Sequence, residues 1–421
     1  MGISMSSKKL GPYTLSGLIV GPILGSGIVI IPPIVYDILK DYSIFAWVIM
    51  MTIGGVFAYF ASKLCLKFPG DSGLTEVVGH SFGKSYKNLN AYYLLIAMAM
   101  APLVVIMVAG EYLSVLFSNY SFGAEFYSAV LMLIGGIILS RNISSVGKIS
   151  MLISTVISTI LVVGGLFTIL FYRKDALFTG TGISTIDVGY SFLIMFWSII
   201  GWEILGNYSL EVENPEKTIP KAALVSVIAM SIVYLIVSGA LQVLDIKKLG
   251  LIDPISGISL ILYPLFGQYS SIILSLTITG LCLCSFLMLI GGASRLVYAQ
   301  AKDGVFPKIF KYRSNTNAPL SAVLLMVFAN FLTLFAVYFN LISFNEIIAA
   351  VNAFLITNII MAAVASIKVF ENVMEKGFAV FLLVSFLLMF LFSSKMVILI
   401  ILAMLFGTVV YTLKNNNYGI K

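Results

Sequence analysis

Gly21-Pro22-Ile23-Leu24-Gly25-Ser26-Gly27 lies in the middle of the first long apolar run of a 421-residue chain. Proline removes a helical hydrogen-bond donor and each glycine weakens a helix by roughly 1 kcal/mol, so a helix entering this stretch is expected to break inside it. A second stretch, Phe196-Trp197-Ser198-Ile199-Ile200-Gly201-Trp202-Glu203, sets a glycine and a carboxylate near the middle of another apolar run. Broken backbone at membrane depth is tolerated only where it is buried in protein or faces a wet cavity. A carboxylate there is expected to face the bundle interior and to carry a function. Close packing through small residues is the alternative for the first stretch, and a structural hydrogen bond to a neighbouring helix is the alternative for Glu203.

The membrane itself follows from composition. A chain that is 60% hydrophobic and 10% charged, with mean hydropathy +1.06, cannot hide its apolar surface in a water-soluble core. Helices of about 20 residues would cross a bilayer ten to twelve times in this length. Apolar runs fall at about 12–39, 43–67, 88–117, 124–140, 148–172, 186–209, 221–243, 268–300, 318–340, 342–367, 375–393 and 395–414. The net charge of +7 is scattered over short loops, with no basic-aromatic face for nucleic acid. With the N-terminus inside, only Lys40, Arg173, Lys174, Lys247, Lys248 and Lys395 of the 25 Lys and Arg residues fall outside. That asymmetry favours twelve spans with both termini cytoplasmic. Lys8 and Lys9 precede the first apolar run, but it is too long for a signal peptide and no small-residue cleavage site follows it.

The two interrupted runs lie five runs apart. They occupy equivalent places if residues 12–172 and 186–367 are two five-helix repeats of opposite orientation, with 375–414 as two peripheral helices. Paired breaks of this kind point to a midplane site, where a half-helix N-terminus attracts a carboxylate and exposed carbonyls hold an ammonium or a cation. A zwitterionic amino acid has that polarity.

The same residues carry a resemblance. Gly25-Ser26-Gly27 and Trp197-Ser198-Ile199-Ile200-Gly201-Trp202-Glu203 resemble the interrupted helices of the amino acid, polyamine and organocation (APC) transporter superfamily. Two further stretches match its cytoplasmic signatures: Glu213-Asn214-Pro215-Glu216-Lys217-Thr218-Ile219-Pro220-Lys221-Ala222, and Ser294-Arg295-Leu296-Val297-Tyr298-Ala299-Gln300-Ala301-Lys302-Asp303-Gly304-Val305-Phe306-Pro307. The resemblance covers roughly residues 11 to 330 and is closest to the subgroup that includes bacterial exporters of methionine and branched-chain amino acids. It implies an all-α integral membrane protein with a LeuT-like inverted repeat and broken first and sixth helices, working by alternating access in the cell membrane. A neutral aliphatic amino acid is the expected substrate; a cationic amino acid or polyamine, or a non-transporting sensor on the same fold, are the other readings.

Carried over residue by residue, the resemblance places the substrate carboxylate at the backbone N–H groups of Gly25, Ser26 and Gly27 and the Ser26 hydroxyl. The ammonium would meet the carbonyls of Ile23, Trp197, Ser198 and Ile199 beside Gly201. Trp197 would close over the bound molecule, unless it is an interfacial ring, and Glu203 would gate or couple. Some relatives place a lysine in the fifth span where others bind sodium, and Ile149 to Tyr172 holds no Lys or Arg. A sodium site of first-span carbonyls with Ser285 stays open beside proton coupling, although serines in membrane helices commonly bond their own backbone. Leu287-Met288-Leu289 stands near a tryptophan of basic-substrate relatives and gives an apolar pocket.

The remaining polar residues add little. Cys65, Cys282 and Cys284 sit in apolar runs and read as packing residues rather than metal ligands. His80 lies in Leu74 to Phe82, which resembles a short helix plugging the inner mouth; it is a pH-sensor candidate or an inert loop residue. Glu111 and Glu346 fall near outer ends. With one histidine and no nucleophile-base pair, neither an enzyme nor a cofactor is expected. The expected partners are the lipid bilayer and the small-molecule substrate.

Overall fold

The computed structural model describes residues 9–141, 143–174, 182–245, 249, 257–315 and 317–418. Four residues used above to orient the chain, Lys8, Lys247, Lys248 and Lys421, lie outside them. Among the described residues the chain is helical, with two isolated β-bridges, Leu10 to Val212 and Arg173 to Leu244, in place of any sheet. Among the described residues, nine helical stretches are long and apolar enough to cross a membrane, and Pro12–Leu24, Ala124–Leu139 and Thr185–Ile199 are shorter apolar helices.

The first run breaks as its glycines demand. Helix α1 (Pro12–Leu24) starts with proline at its first position and ends at Gly25, whose φ of +39° is strained for a side-chain-bearing residue. Ser26 then opens α2 (Gly27–Leu39). Helix α3 (Ser43–Lys67) follows, then the short α4 (Thr75–Phe82), which falls on the stretch read as a plug helix. The third run, read as continuous, is split into α5 (Lys84–Met98) and α6 (Ala101–Leu116). Pro102 near the start of α6 explains the split, because it has no N–H to continue the hydrogen-bond ladder.

Helices α7 (Ala124–Leu139) and α8 (Ile143–Phe171) follow. The sixth run consists of α9 (Thr185–Met195), a 3-10 turn Phe196–Ile199, an extended residue at Ile200, Gly201 at φ +128° and a 3-10 segment Trp202–Glu211. The signature at Glu213 to Ala222, read as a loop, is helical from Pro215: α10 (Pro215–Val243) starts with that proline, behind Asn214 in a left-handed conformation. The short α11 (Ser259–Phe266) precedes α12 (Ser270–Lys302), α13 (Leu320–Tyr338), α14 (Phe344–Val369), α15 (Val373–Phe390) and α16 (Lys395–Tyr418). Helix α14 opens with a capping box in which Glu346 reaches back to Ser343, which explains an acid at that end. Helix α1 packs between α8, α10 and α12, so both breaks lie in the middle of the bundle, while α16 keeps an exposed apolar surface.

Candidate functional site

The end of α1 at the break is fixed from two neighbouring helices. The Ser285 hydroxyl on α12 donates to the Pro22 carbonyl at 3.1 Å and to Leu281 in its own helix. The Tyr234 hydroxyl on α10 donates to the Ile23 carbonyl at 3.0 Å. Tyr234 in turn stacks on Trp47 of α3, ring centroids 4.8 Å apart. The carbonyls that end α1 therefore already have protein partners. The first N–H groups of α2 have no acceptor one turn back within that helix, and the positive end of the α2 dipole lies at Ser26 and Gly27.

Those two residues form one wall of a cavity of about 320 Å³. It occupies the half of the bundle away from the N-terminal face, the end where α1 begins. Ile30, Ile31 and Ile34 of α2 continue that wall. Val104 and Val108 of α6 contribute a second, Ile194 and Trp197 of the α9 segment a third, and Ile348 and Asn352 of α14 a fourth. Ile34 and Tyr190, 38% and 51% exposed, stand on its rim with Asn345. No Asp, Glu, Lys, Arg or His lines it among the described residues. Asn352 is buried, and its Oδ1 has no hydrogen-bond partner among the described residues.

Of the sequence-expected site residues, Ser26, Gly27 and Trp197 border this cavity together. A methyl group at Gly27 would lie 3.5 Å from the Trp197 ring and 2.9 Å from the Tyr234 hydroxyl, so the half-buried indole stands beside the start of α2. Ile23, Ser198, Ile199 and Gly201 lie behind the wall instead. The Ser198 hydroxyl turns back to the Met195 carbonyl at 2.6 Å, and Ile199 packs onto Gly54 of α3. Glu203 is fully buried, and its Oε2 accepts the Gly201 N–H at 2.8 Å. In place of the neighbouring-helix hydrogen bond of the alternative reading, Oε2 thus bonds the broken backbone of its own segment, while Oε1 has no partner among the described residues. Leu287-Met288-Leu289, expected in the pocket, does not border it; Met288 packs at Gly201 and its carbonyl accepts the Tyr208 hydroxyl.

The N-terminal face is closed by charge. Arg295 of α12 donates through Nε and Nη2 to both oxygens of Glu211, at 2.8 and 2.7 Å, and through Nη1 to the Gly291 carbonyl. Arg313 bridges Glu211 at 2.9 Å and Asp71 at 2.6 Å. The guanidinium of Arg295 lies over the Tyr208 ring and that of Arg313 over Tyr298. Glu211, Asp71 and Arg295 are buried. Arg295, quoted from the sequence only within the signature stretch Ser294 to Pro307, and Arg313 thus tie α12 and the segment after it to Glu211 and to the α3–α4 connection. His80, by contrast, is exposed and packs on Phe68.

The sequence profile of the family described as amino acid permease matches residues 10–418. The uncharacterized amino acid permease YecA of Bacillus subtilis (strain 168) is 24% identical, over 72% of this chain and 70% of its own length. The cadaverine/lysine antiporter of Escherichia coli (strain K12) is 25% identical over 76% and 73%. The L-methionine/branched-chain amino acid exporter YjeH of the same organism is 23% identical over 54% of each. Among solved structures, the substrate-bound outward-open state of a Na+-coupled sialic acid symporter aligns with a TM-score of 0.62 at 11% identity, over 86% of this chain and 80% of that one. At that identity the likeness is one of fold.

Proposed function

The chain belongs to the amino acid permease family, and from that premise we infer that it is a secondary active transporter of neutral aliphatic amino acids in the cell membrane. The observation that carries this reading is the uncharged cavity with the α2 N-terminus in its wall. An α-carboxylate suits free N–H groups and the positive end of a helix dipole. A second amine, as in cadaverine or lysine, would need a buried acid to offset its desolvation, and among the described residues the walls offer only aliphatic side chains, aromatic rings, amides and a serine. Trp197, beside Gly27, is the lid over the bound molecule.

With the N-terminal face in the cytoplasm, the cavity opens outward and the Arg295–Glu211–Arg313–Asp71 network closes the inner side. Transport then requires that network to part and the outer walls to close, the two ends opening in turn around the breaks at Gly25 and Gly201. Glu203 bonds the α9-side break directly, so it is the group through which a proton gradient would act; the Ser285 region is the corresponding candidate for sodium.

Uptake and counterflow of labelled leucine, methionine, alanine, arginine and cadaverine in proteoliposomes, with imposed proton or sodium gradients, tests the reading. Saturable flux of a neutral amino acid that Trp197→Ala reduces by at least about tenfold supports it, a loss of roughly 1.4 kcal/mol of transition-state stabilisation. Flux of arginine or cadaverine alone overturns the substrate class. Binding without flux in well-folded protein overturns transport in favour of sensing. Loss of proton dependence in Glu203→Gln, with flux retained, assigns the coupling.

A further inference from the structure

The split between α5 and α6 leaves three backbone groups to be satisfied. Pro102 has no N–H, so the Met98 carbonyl lacks its helical donor. Met100, at φ −122° and ψ −43°, leaves helical geometry, and the Leu103 N–H and the Ala99 carbonyl no longer meet. Buried groups of this kind must find partners or cost stability.

All three are taken by one turn of α13. The fully buried Asn330 accepts the Leu103 N–H through Oδ1 at 2.9 Å and donates through Nδ2 to the Met98 carbonyl at 3.2 Å. The Nδ2 also donates to Met326 of its own helix at 2.9 Å. Thr333, three residues on and so on the same face, donates to the Ala99 carbonyl at 3.0 Å. A backbone hydrogen bond from Val104 to Met100 restarts the helix. The first residues of α6 past this clamp are therefore Leu103, held by Asn330, and Val104, which with Val108 forms one wall of the cavity.

We propose that Asn330 and Thr333 are positioning residues that fix the angle of α6 against α13, and through Val104 and Val108 set the width of the cavity for the substrate's side chain. This rests on the reading of that cavity as the substrate site. Neither residue lines the cavity; Asn330 acts through the backbone of α6 at Leu103 and Thr333 through that of the break at Ala99. A side-chain amide suits the position because it presents an acceptor and two donors on separate atoms, enough for Leu103, Met98 and Met326 at once. Leucine has nearly the same shape and supplies neither.

Two readouts test this, one needing flux and one not. Uptake of alanine, valine, leucine, methionine and phenylalanine is measured for wild type, Asn330→Leu, Asn330→Asp and Thr333→Val. The expected result is a change of at least about fivefold in the ratio of KM values between the largest and smallest substrates for Asn330→Leu. Asn330→Asp, which keeps the acceptor for Leu103, falls between it and wild type, and Thr333→Val shifts the ratio in the same direction by less. In parallel, the thiol introduced by Val104→Cys is labelled with a membrane-impermeant maleimide; Cys65, Cys282 and Cys284 are buried. Adding Asn330→Leu or Thr333→Val is expected to change that labelling rate. Unchanged KM ratios and unchanged labelling, with only the yield of folded protein reduced, overturn the proposal. If wild type moves none of the five substrates while labelling still responds to Asn330→Leu, the substrate reading fails and the positioning role stands. Where Asn330→Leu does not fold, the Asp and Val variants decide by the same criteria.

Discussion

The two halves of the bundle use polar groups in opposite ways. Away from the N-terminal face, the cavity walls carry no charged side chain among the described residues, and the polarity is that of backbone and neutral amides. At the N-terminal face, two carboxylates and two guanidiniums are gathered where little water reaches them. Charge desolvated in this way is costly unless every partner is present. It therefore suits a closure that holds all-or-none, whereas an uncharged wall suits a site that must release what it holds.

The sharpest break of that contrast is Arg295→Met. It leaves Glu211 with Arg313 alone, and removing one member of a buried network costs about 3–5 kcal/mol. A large loss of thermal stability in detergent is expected, with Arg295→Lys intermediate; a loss below about 1 kcal/mol would mean that the network does not hold this face shut. Arg313→Gln is expected to cost less, about 1–3 kcal/mol, because Glu211 keeps its paired contacts with Arg295 while Asp71 loses its guanidinium. The measurement is thiol labelling of Ser26→Cys from the N-terminal side, which should quicken in Arg313→Gln and stay slow if other contacts keep the face closed. The smallest effect sharpens the other side. Ile348→Asp places an acid in the half-buried cavity wall and should raise the preference for diamine over leucine by about tenfold, or roughly 1.4 kcal/mol, in competition uptake. No change in that ratio would detach the wall at Ile348 from substrate choice.

How far these features could be read in the sequence depends on whether the deciding partner is local. The breaks at Gly25 and Gly201 were legible because glycine and proline act on their own backbone. The capping box of Ser343 and Glu346, three residues apart, is equally local, although the sequence reading placed Glu346 only near an outer end. The split at Ala99 and Met100 was not. Pro102 sits in an unbroken apolar run, and the groups that make the interruption tolerable come from Asn330 and Thr333, more than 200 residues away. The closing network failed to show for the same reason, its four charged residues being spread from position 71 to 313. Within the cavity, Ser26, Gly27 and Trp197 were found through their motifs. Val104, Val108, Ile348 and Asn352 were missed, since three are aliphatic residues in a chain rich in them and nothing local aims the fourth. Glu203 was singled out as a functional candidate, but its partner two residues away on its own chain was not legible, because a glycine break does not say which acceptor takes the N–H groups it frees.

On the proposed reading, the start of α2 grips the cargo through peptide groups, and peptide groups do not mutate. Substitution can spoil the break itself, at Gly25 or at the Ser285 and Tyr234 hydroxyls that fix it, but in the cavity walls it leaves the backbone hold on the shared zwitterion in place. Drift at Val104, Val108 or Ile348 can therefore retune the preferred side chain in small viable steps, so a lineage built on this site can diversify its diet without first losing its appetite for amino acids.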